Sequence, residues 1–231
     1  MIKEQEKSLE ATISRFSSTI LRSHFGRGPK SVYINIVHPF ICIQIREFLS
    51  PMEKILLSKH EGTKVLELRD LLMEEIGEEF KRNFLKEADF EVKELYADWN
   101  LANRSGVILA VLEESVIEKE PWPQEVDEKD LLDEIIKVSK MGQKEPGSTE
   151  VFWLSERTLL IRRTDIFTLL EKELISMDFE ETLKLAKRPL EYKLFKQSRL
   201  EEILKRSISE IFVDWSFKAD KGYAILTLQK K

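Results

Sequence analysis

Cysteine is almost absent from this chain, which contains one cysteine, Cys42, in 231 residues. A single thiol cannot form an internal disulfide bond, and it cannot supply the cysteines of a structural zinc site. Histidine is also scarce, and the spacing of His24, His38 and His60 matches no common metal-binding motif. We therefore expect neither a metal site nor a cofactor.

Long apolar runs are missing as well. No run approaches the roughly 18 residues that a membrane-spanning helix requires. The N-terminal sequence is charged, and it lacks the apolar centre of a secretory signal. We predict a cytoplasmic protein without a transmembrane segment, and peripheral attachment to a membrane is compatible with both features.

Basic residues are outnumbered, with 37 Lys and Arg against 42 Asp and Glu and a net charge of −5. This balance argues against a nucleic-acid-binding protein, which usually has a basic face. The exception is the segment from Ala11 to Arg46, which contains no acidic residue. Such a segment is either an ordinary solvated face or a surface for an acidic partner. The candidate docking residues within it are Arg15, Arg22 and Arg27.

One strand–turn–strand sequence occurs twice. The stretch from Tyr96 reads YADWNLANRSGVILAVLE, and a later stretch reads FVDWSFKADKGYAILTLQ. An aspartate, a tryptophan and a glycine recur with an offset of 116 residues (214−98, 215−99, 222−106): Asp98, Trp99 and Gly106 correspond to Asp214, Trp215 and Gly222. We expect both tryptophans in a core, with each aspartate at a turn or strand end. The chain is therefore an internal duplication.

A helix-capping sequence is repeated too. Ser50 and Glu53 stand three residues apart, as a capping box requires, and Thr168 and Glu171 follow 118 residues later (168−50, 171−53). The capping role explains Glu53 better than a catalytic role does, because the repeat preserves it. The offset falls from 118 to 116 across the intervening helices, so the second copy is two residues shorter there.

Hydrophobic periodicity predicts the elements of both copies. Helices are expected at about 4–25, from 51 to the break at Gly62, and at 63–86, 128–141 and 179–209, with Pro189 kinking or splitting the last. Strands are expected at 31–37, 40–47, 90–99, 106–112, 150–154, 158–163, 209–217 and 222–228.

The resulting fold class is α+β, an internal duplication of an α-β-β-α-α-β-β unit. Each half has an antiparallel sheet covered by helices. The apolar strand residues Ile34, Ile36, Ile41, Ile43 and Ile45 must be covered either by these helices or by packing of the halves as a pseudo-dimer within one chain. We predict a first repeat at 1–118 and a second, diverged repeat at 119–231. An acidic, proline-containing linker lies at about 113–127.

Residues 8–113 resemble a family of small bacterial proteins, formerly a domain of unknown function. The family is named for the C component of a sodium-translocating membrane-potential-generating system. The resemblance rests on motifs in a fixed order: GRGP (Gly26 to Pro29), LSPMEK (Leu49 to Lys54), EGTKV (Glu61 to Val65), Arg69, Asp98 and GVILAVLE. The second half lacks GRGP and replaces LSPMEK with FTLLEK.

The resemblance implies a non-enzymatic accessory protein associated with a membrane ion or bicarbonate transport system. Its partner would be a protein, and a homo-oligomer is compatible with the sequence. The alternative is a small-anion-binding module or an enzyme that uses Arg27, Gly28, Arg46 and Arg69. For GRGP itself the simpler interpretation is a helix C-cap that leads into a strand.

Two residues with reactive or charged groups have structural explanations. Cys42 lies among apolar strand residues and lacks an activating base with an orienting partner, so we expect an inert thiol. For Arg69 we expect a structural ion pair, either with neighbours on the side of Asp70 or with a carboxylate such as Asp98, in preference to a ligand clamp.

Overall fold

The structure is a computed structural model, and it describes residues 2–113 and 121–230, with side chains from residue 7 onward. The chain divides into two compact units, Met1–Glu118 and Lys119–Lys231. Of the predicted linker at about 113–127, residues 114–120 lie outside the described residues.

The first unit has one four-stranded antiparallel sheet with the strand order β1-β2-β4-β3. Three helices accompany it. In chain order its elements are α1 (Ile2–Phe25), β1 (Ser31–Val37), β2 (Phe40–Arg46), α2 (Pro51–Ser58), α3 (Gly62–Ala88), β3 (Val92–Asn100) and β4 (Ser105–Leu112).

The second unit repeats this plan, with the strand order β5-β6-β8-β7. Its elements are α4 (Glu128–Gly142), β5 (Ser148–Ser155), β6 (Thr158–Thr164), α5 (Leu169–Ser176), α6 (Glu180–Gln197), α7 (Leu200–Leu204), β7 (Ile208–Ser216) and β8 (Lys221–Leu228). The predicted α+β class and the duplication are confirmed, and the short helix α7 is an addition.

The helical region predicted at 179–209 is not split at Pro189. Helix α6 continues through Pro189 and ends at Gln197, because Ser198 has extended backbone angles (φ −79°, ψ 171°). The Ser198 hydroxyl donates to the carbonyl of Phe195 at 2.6 Å, which satisfies a terminal carbonyl of the helix. A proline removes only one helical donor, whereas an extended residue ends the helix.

Helices of the same unit cover the apolar face of the first sheet. Phe16 of α1 and Phe84 of α3 meet edge to face with ring centroids 5.1 Å apart, in a core that includes the strand residues Ile41 and Ile43. All four side chains are buried. An equivalent core occupies the second unit, and its members include Leu131, Ile161 and Trp215.

The repeated tryptophan and glycine form a packing motif. Trp99 lies directly opposite Gly106 in the β3–β4 ladder, and a Cβ atom on Gly106 would lie 2.2 Å from Cε3 of the indole ring. The glycine therefore leaves the space that the ring occupies. Asp98 accepts a hydrogen bond from the Trp99 backbone N–H at 2.8 Å. Trp99 is in the core as predicted, but Asp98 is buried within β3 and not at a turn.

The backbone is duplicated even where side chains differ. Every residue other than glycine with a positive φ in the described part of the chain has a counterpart in the other unit, with φ between 49° and 62°. The offsets are 118 before the long helices and 116 after them. The pairs are Glu47 and Asp165, His60 and Asp178, Asp89 and Lys205, and Arg104 and Asp220.

Candidate functional site

A buried ion pair joins helices α2 and α3. Arg69 donates from Nε to Glu53 Oε1 at 2.7 Å and from Nη2 to Glu53 Oε2 at 3.0 Å. The two side chains are 0% and 3% exposed. Arg69 also donates to the carbonyl of Phe48 at 3.0 Å, and its guanidinium lies 4.6 Å from the ring centroid of Trp99. This bidentate geometry fixes the relative position of the two helices.

The same glutamate closes the helix cap. Ser50 accepts from the Glu53 backbone N–H, and the Glu53 carboxylate accepts from the Ser50 backbone N–H at 2.7 Å, so the predicted capping box is confirmed. Burial by itself would raise the pKa of the Glu53 carboxyl. The hydrogen bonds and charge of Arg69, with the bonds from Ser50, outweigh it and hold that pKa below its usual value. Glu53 is therefore a structural carboxylate.

The second unit repeats the arrangement with a lysine. Lys187 Nζ lies 2.6 Å from Glu171 Oε1 and 5.5 Å from the ring centroid of Trp215. Lys187 follows Arg69 by 118 residues (187−69), the offset of the capping boxes. Sequence reasoning missed this pair. The signal was present, because a cation stands at the same offset from each capping glutamate.

The partner predicted for Arg69 was wrong, because its carboxylate partner is Glu53 and not Asp98. Glu53 is one turn into α2, and the close packing of α2 on α3 brings it to Arg69. The pattern of the sequence cannot show this packing. Arg69 thus forms a structural ion pair, as predicted, and does not act as a ligand clamp.

The other candidate anion-binding residues lie elsewhere. Arg27 and Gly28 are in the loop after α1, and Arg46 ends β2, where its carbonyl accepts from the Lys30 N–H at 3.0 Å. Gly26 has φ +68°, the conformation of a helix C-cap. An anion site formed by Arg27, Gly28 and Arg46 stays a prediction, and the buried guanidinium of Arg69 is already occupied by Glu53.

The acid-free segment acquires acidic partners from another helix. Arg15 lies 2.8 Å from Glu87, and His24 lies 2.8 Å from Glu79, both on α3. Arg22 and Arg27 are exposed. A run of basic sequence therefore becomes a partly neutralised surface, which retains Arg22 and Arg27 as its accessible cations among the predicted docking residues.

Cys42 is fully buried in β2, and burial raises the pKa of its thiol to about 12. The neutral thiol predominates at physiological pH, so Cys42 is unsuited to nucleophilic catalysis.

Residues 2–113 and 121–230 show neither a metal-binding cluster nor a membrane-spanning helix. Within these ranges, no cluster of three or more His, Cys, Asp or Glu side chains is arranged to hold a metal ion. None of the helices in the same ranges is long and apolar enough to cross a membrane.

Four large apolar side chains on α2 and on the N-terminal part of α3 face water, and Leu85 is exposed further along α3. We call the four residues the α2–α3 face, and their exposed fractions are 64% for Met52, 57% for Ile55, 43% for Leu68 and 56% for Leu71. Scattered apolar residues are common on protein surfaces, but four on two short adjoining segments suggest an interaction surface.

The second unit does not preserve the residues of this face. At an offset of 118, Ile55, Leu68 and Leu71 correspond to a glutamate, an alanine and a proline: Glu173, Ala186 and Pro189. Only Met52 has an apolar counterpart of similar size, Leu170, which is exposed beside Leu169 at the start of α5. The second unit exposes other large apolar side chains around α5 and α6, which include Met177, Phe179 and Leu190. The two units therefore expose different apolar residues on equivalent helices.

Comparison with known proteins finds a family similarity within the first unit. Residues 5–114 match the family model of the Na+-translocating membrane potential-generating system (MpsC). The resemblance predicted for the first half is confirmed. The chain is also similar to the uncharacterized protein YbcI of Bacillus subtilis (strain 168), at 28% identity over 106 residues, which are 46% of this chain and 84% of that protein. No solved structure matches the chain.

Proposed function

We propose that this chain is a non-enzymatic accessory protein of a membrane system that generates or uses a Na+ potential. In this role it binds a membrane protein of that system through the α2–α3 face. The observation that carries the proposal is the coincidence of two features in one unit. The exposed apolar face lies within the MpsC match, and the diverged copy has a large apolar side chain at only one of the four positions.

The proposed mechanism uses the buried ion pair as a scaffold. Arg69 and Glu53 hold α2 against α3, so Ile55 and Leu71 are presented in a fixed geometry. A rigid surface loses little conformational entropy on binding. Burial of one fully exposed leucine or isoleucine side chain contributes about 1.5–3 kcal/mol.

The basic residues Arg15, Arg22 and Arg27 would assist this docking. An acidic partner, or the negative cytoplasmic leaflet around it, attracts each Lys or Arg near its surface with about 1 kcal/mol. Exposed charges are screened beyond roughly 10 Å at 0.1 M salt. We therefore assign orientation and salt dependence to these residues, and affinity to the apolar face.

Site-specific photo-crosslinking tests the proposal. A photoreactive residue is placed at position 55 or, as the comparison site, at position 170, and the protein is incubated with native membranes and with protein-free vesicles of the same lipids. We expect position 55 to crosslink an integral membrane protein in native membranes, and position 170 to give at least about tenfold less of this product, which corresponds to 1.4 kcal/mol.

Paired substitutions provide the control. Ile55→Gln with Leu71→Gln should abolish co-sedimentation with native membranes, whereas Leu169→Gln with Leu170→Gln should leave it unchanged. Replacement of the three arginines by Gln should reduce binding at low salt and have little effect at high salt. Equal binding to protein-free vesicles would show lipid attachment in place of a protein partner and would reject the proposal, as would retention by the Ile55 and Leu71 variant.

A further inference from the structure

An open groove in the second unit lies beside two strand ends. Its volume is about 830 Å³, within the range of sites that bind small molecules. Its lining includes two tryptophans and three cations, with Glu125 among the others: Trp122, Trp153, Arg157, Arg206 and Lys230. All belong to the unit Lys119–Lys231.

Backbone carbonyls hold the two arginines of the groove in place. Arg206 donates from Nη1 to the carbonyl of Glu156 at 2.5 Å and from Nη2 to the carbonyl of Gln229 at 2.6 Å. Arg157 donates from Nε to the carbonyl of Leu228 at 3.0 Å. Carbonyl oxygens orient a guanidinium but do not cancel its charge. Neither arginine has a carboxylate partner among the described residues.

Two indole rings form the apolar part of the groove. The rings of Trp122 and Trp153 meet edge to face, with centroids 6.2 Å apart and planes at 89°. Trp122 is fixed by a hydrogen bond from Nε1 to the carbonyl of Val126 at 2.7 Å. The Trp153 Nε1 group is buried and has no hydrogen-bond partner in the described part of the chain. Such a donor is rare in a folded protein without a ligand or water to accept from it.

These features are absent from the corresponding positions of the first unit. By strand register, Trp153 pairs with Leu159 as Ile36 pairs with Ile41, so Ile36 is the counterpart of Trp153. Pro39 corresponds to Arg157 at an offset of 118, and Phe90 corresponds to Arg206 at an offset of 116. One backbone contact is retained, because Leu112 N–H donates to the carbonyl of Pro39 as Leu228 N–H donates to that of Arg157, both at 2.8 Å. The β5–β6 ladder differs from the β1–β2 ladder by a register shift between Trp153 and Ser155. The second unit therefore has two cations and an indole where the first unit has none, beside a local irregularity of the strand.

We propose that this groove binds a small anion that carries a carboxylate or phosphate on an aromatic or other planar group. The guanidinium groups of Arg157 and Arg206, with Lys230, bind the oxyanion. A planar fork matches the geometry of either anion. The indole rings contact the planar part of the ligand. The site lies outside the MpsC match and does not depend on the function proposed for the first unit.

Nuclear magnetic resonance of the full chain with labelled tryptophan tests this site. The probes are phenyl phosphate and benzoate, with inorganic phosphate and acetate as comparators that lack the planar group. We expect saturable shifts of the indole N–H signals of Trp122 and Trp153, with those of Trp99 and Trp215 unchanged. Tighter binding of phenyl phosphate would assign a phosphate ligand, and tighter binding of benzoate a carboxylate ligand.

Charge variants complete the test. Arg157→Gln should raise the Kd of the tighter probe by roughly tenfold or more, since a hydrogen bond to a charged group contributes about 1.5–3 kcal/mol. Lys230→Gln should raise it about two- to fivefold with little effect on the fold, because the Lys230 side chain is exposed. The control Lys196→Gln removes an exposed charge outside the groove and should leave the Kd unchanged.

Three results would overturn the proposal. The first is the absence of a saturable shift with both aromatic probes. The second is equal affinity for inorganic phosphate and phenyl phosphate, which would remove the role of the indole rings. The third is a Kd that neither Arg157→Gln nor Lys230→Gln changes.

Discussion

Gly106 and Gly222 show how one missing side chain determines the position of a large one. Each lies opposite a tryptophan in its ladder, and a Cβ atom would approach Trp99 Cε3 to 2.2 Å in the first unit and Trp215 Cδ1 to 3.0 Å in the second. The indole in each case lies against the cation of the buried pair. Glycine at these two positions is therefore a requirement of packing and not of backbone conformation.

We predict that Gly106→Ala destabilises the protein by about 1–3 kcal/mol, because the new methyl group forces the ring of Trp99 to move. Urea denaturation measures this change. Gly77→Ala is the matched control, since its nearest neighbour would be Leu95 Cδ2 at 3.8 Å and the helix favours alanine by roughly 0.5–1 kcal/mol. Equal stability of the Gly106 variant and the parent protein would contradict the packing argument.

At the scale of elements, one glutamate in each unit joins the capped short helix to the helix that follows it. The glutamate at the third helical position closes the cap and also binds the cation of the next helix. The second unit adds a buried pair between Arg163 and Glu191, and Glu191 also accepts from Trp215 Nε1 at 3.1 Å. In the first unit the Nε1 group of Trp99 is buried without a hydrogen-bond partner among the described residues. The two copies thus share their backbone arrangement and differ in their buried ion pairs and hydrogen bonds.

We predict that Glu53→Gln costs about 3–5 kcal/mol at pH 7, because it leaves the Arg69 charge buried without a counter-charge. Chemical denaturation of variant and parent measures the difference. The control is Glu47→Gln, which breaks an exposed pair with Arg104 at 3.4 Å and should cost less than about 1 kcal/mol. A cost for Glu53→Gln no larger than that of Glu47→Gln would show that the pair contributes little.

The pair of Glu53 and Arg69 makes the stability of the protein depend on pH. The pKa of Glu53 is lower in the folded state than its usual value of 4.5, so its contribution is fully present above pH 4.5. The contribution falls as the pH drops through the lower folded-state pKa. The stability difference between the parent and the Glu53→Gln variant should therefore narrow below pH 4.5. A difference that stays constant to pH 3 would contradict this assignment.

At the scale of the whole molecule, the two units share a fold and differ in the surfaces that they expose. The first unit carries the MpsC match and the α2–α3 face, and the second carries the cationic groove. Their common backbone, including the four pairs of positive-φ residues, does not require a common function.

We predict that the two proposed activities are separable. The paired variant Ile55→Gln and Leu71→Gln should lose membrane-protein binding and keep the parent Kd for phenyl phosphate or benzoate. Arg157→Gln should show the reverse pattern. Titration and co-sedimentation of both variants measure this. Loss of both activities in either variant, with the fold intact by circular dichroism, would show that the units do not act separately.

Local interactions explain what the sequence alone determined. Capping boxes, helix ends at glycine and alternating strands depend on residues within a few positions of each other, so Ser50, Glu53 and Gly26 were interpreted correctly. The duplication could also be recognised from the sequence, because the motifs at Trp99 and Trp215 recur at a constant offset and the elements follow in the same order. Together these features determined the α+β class and most element boundaries.

Only the tertiary structure decided which distant groups meet. Arg69 binds Glu53, 16 residues away, and Glu87 neutralises Arg15 from 72 residues away. The helix break at Ser198 likewise follows from where α7 and β7 begin and not from Pro189. The α2–α3 face and the groove depend on which apolar and charged side chains remain uncovered after packing. Packing joins elements through shape and burial over long separations, and periodicity in the sequence records only which side of an element is apolar.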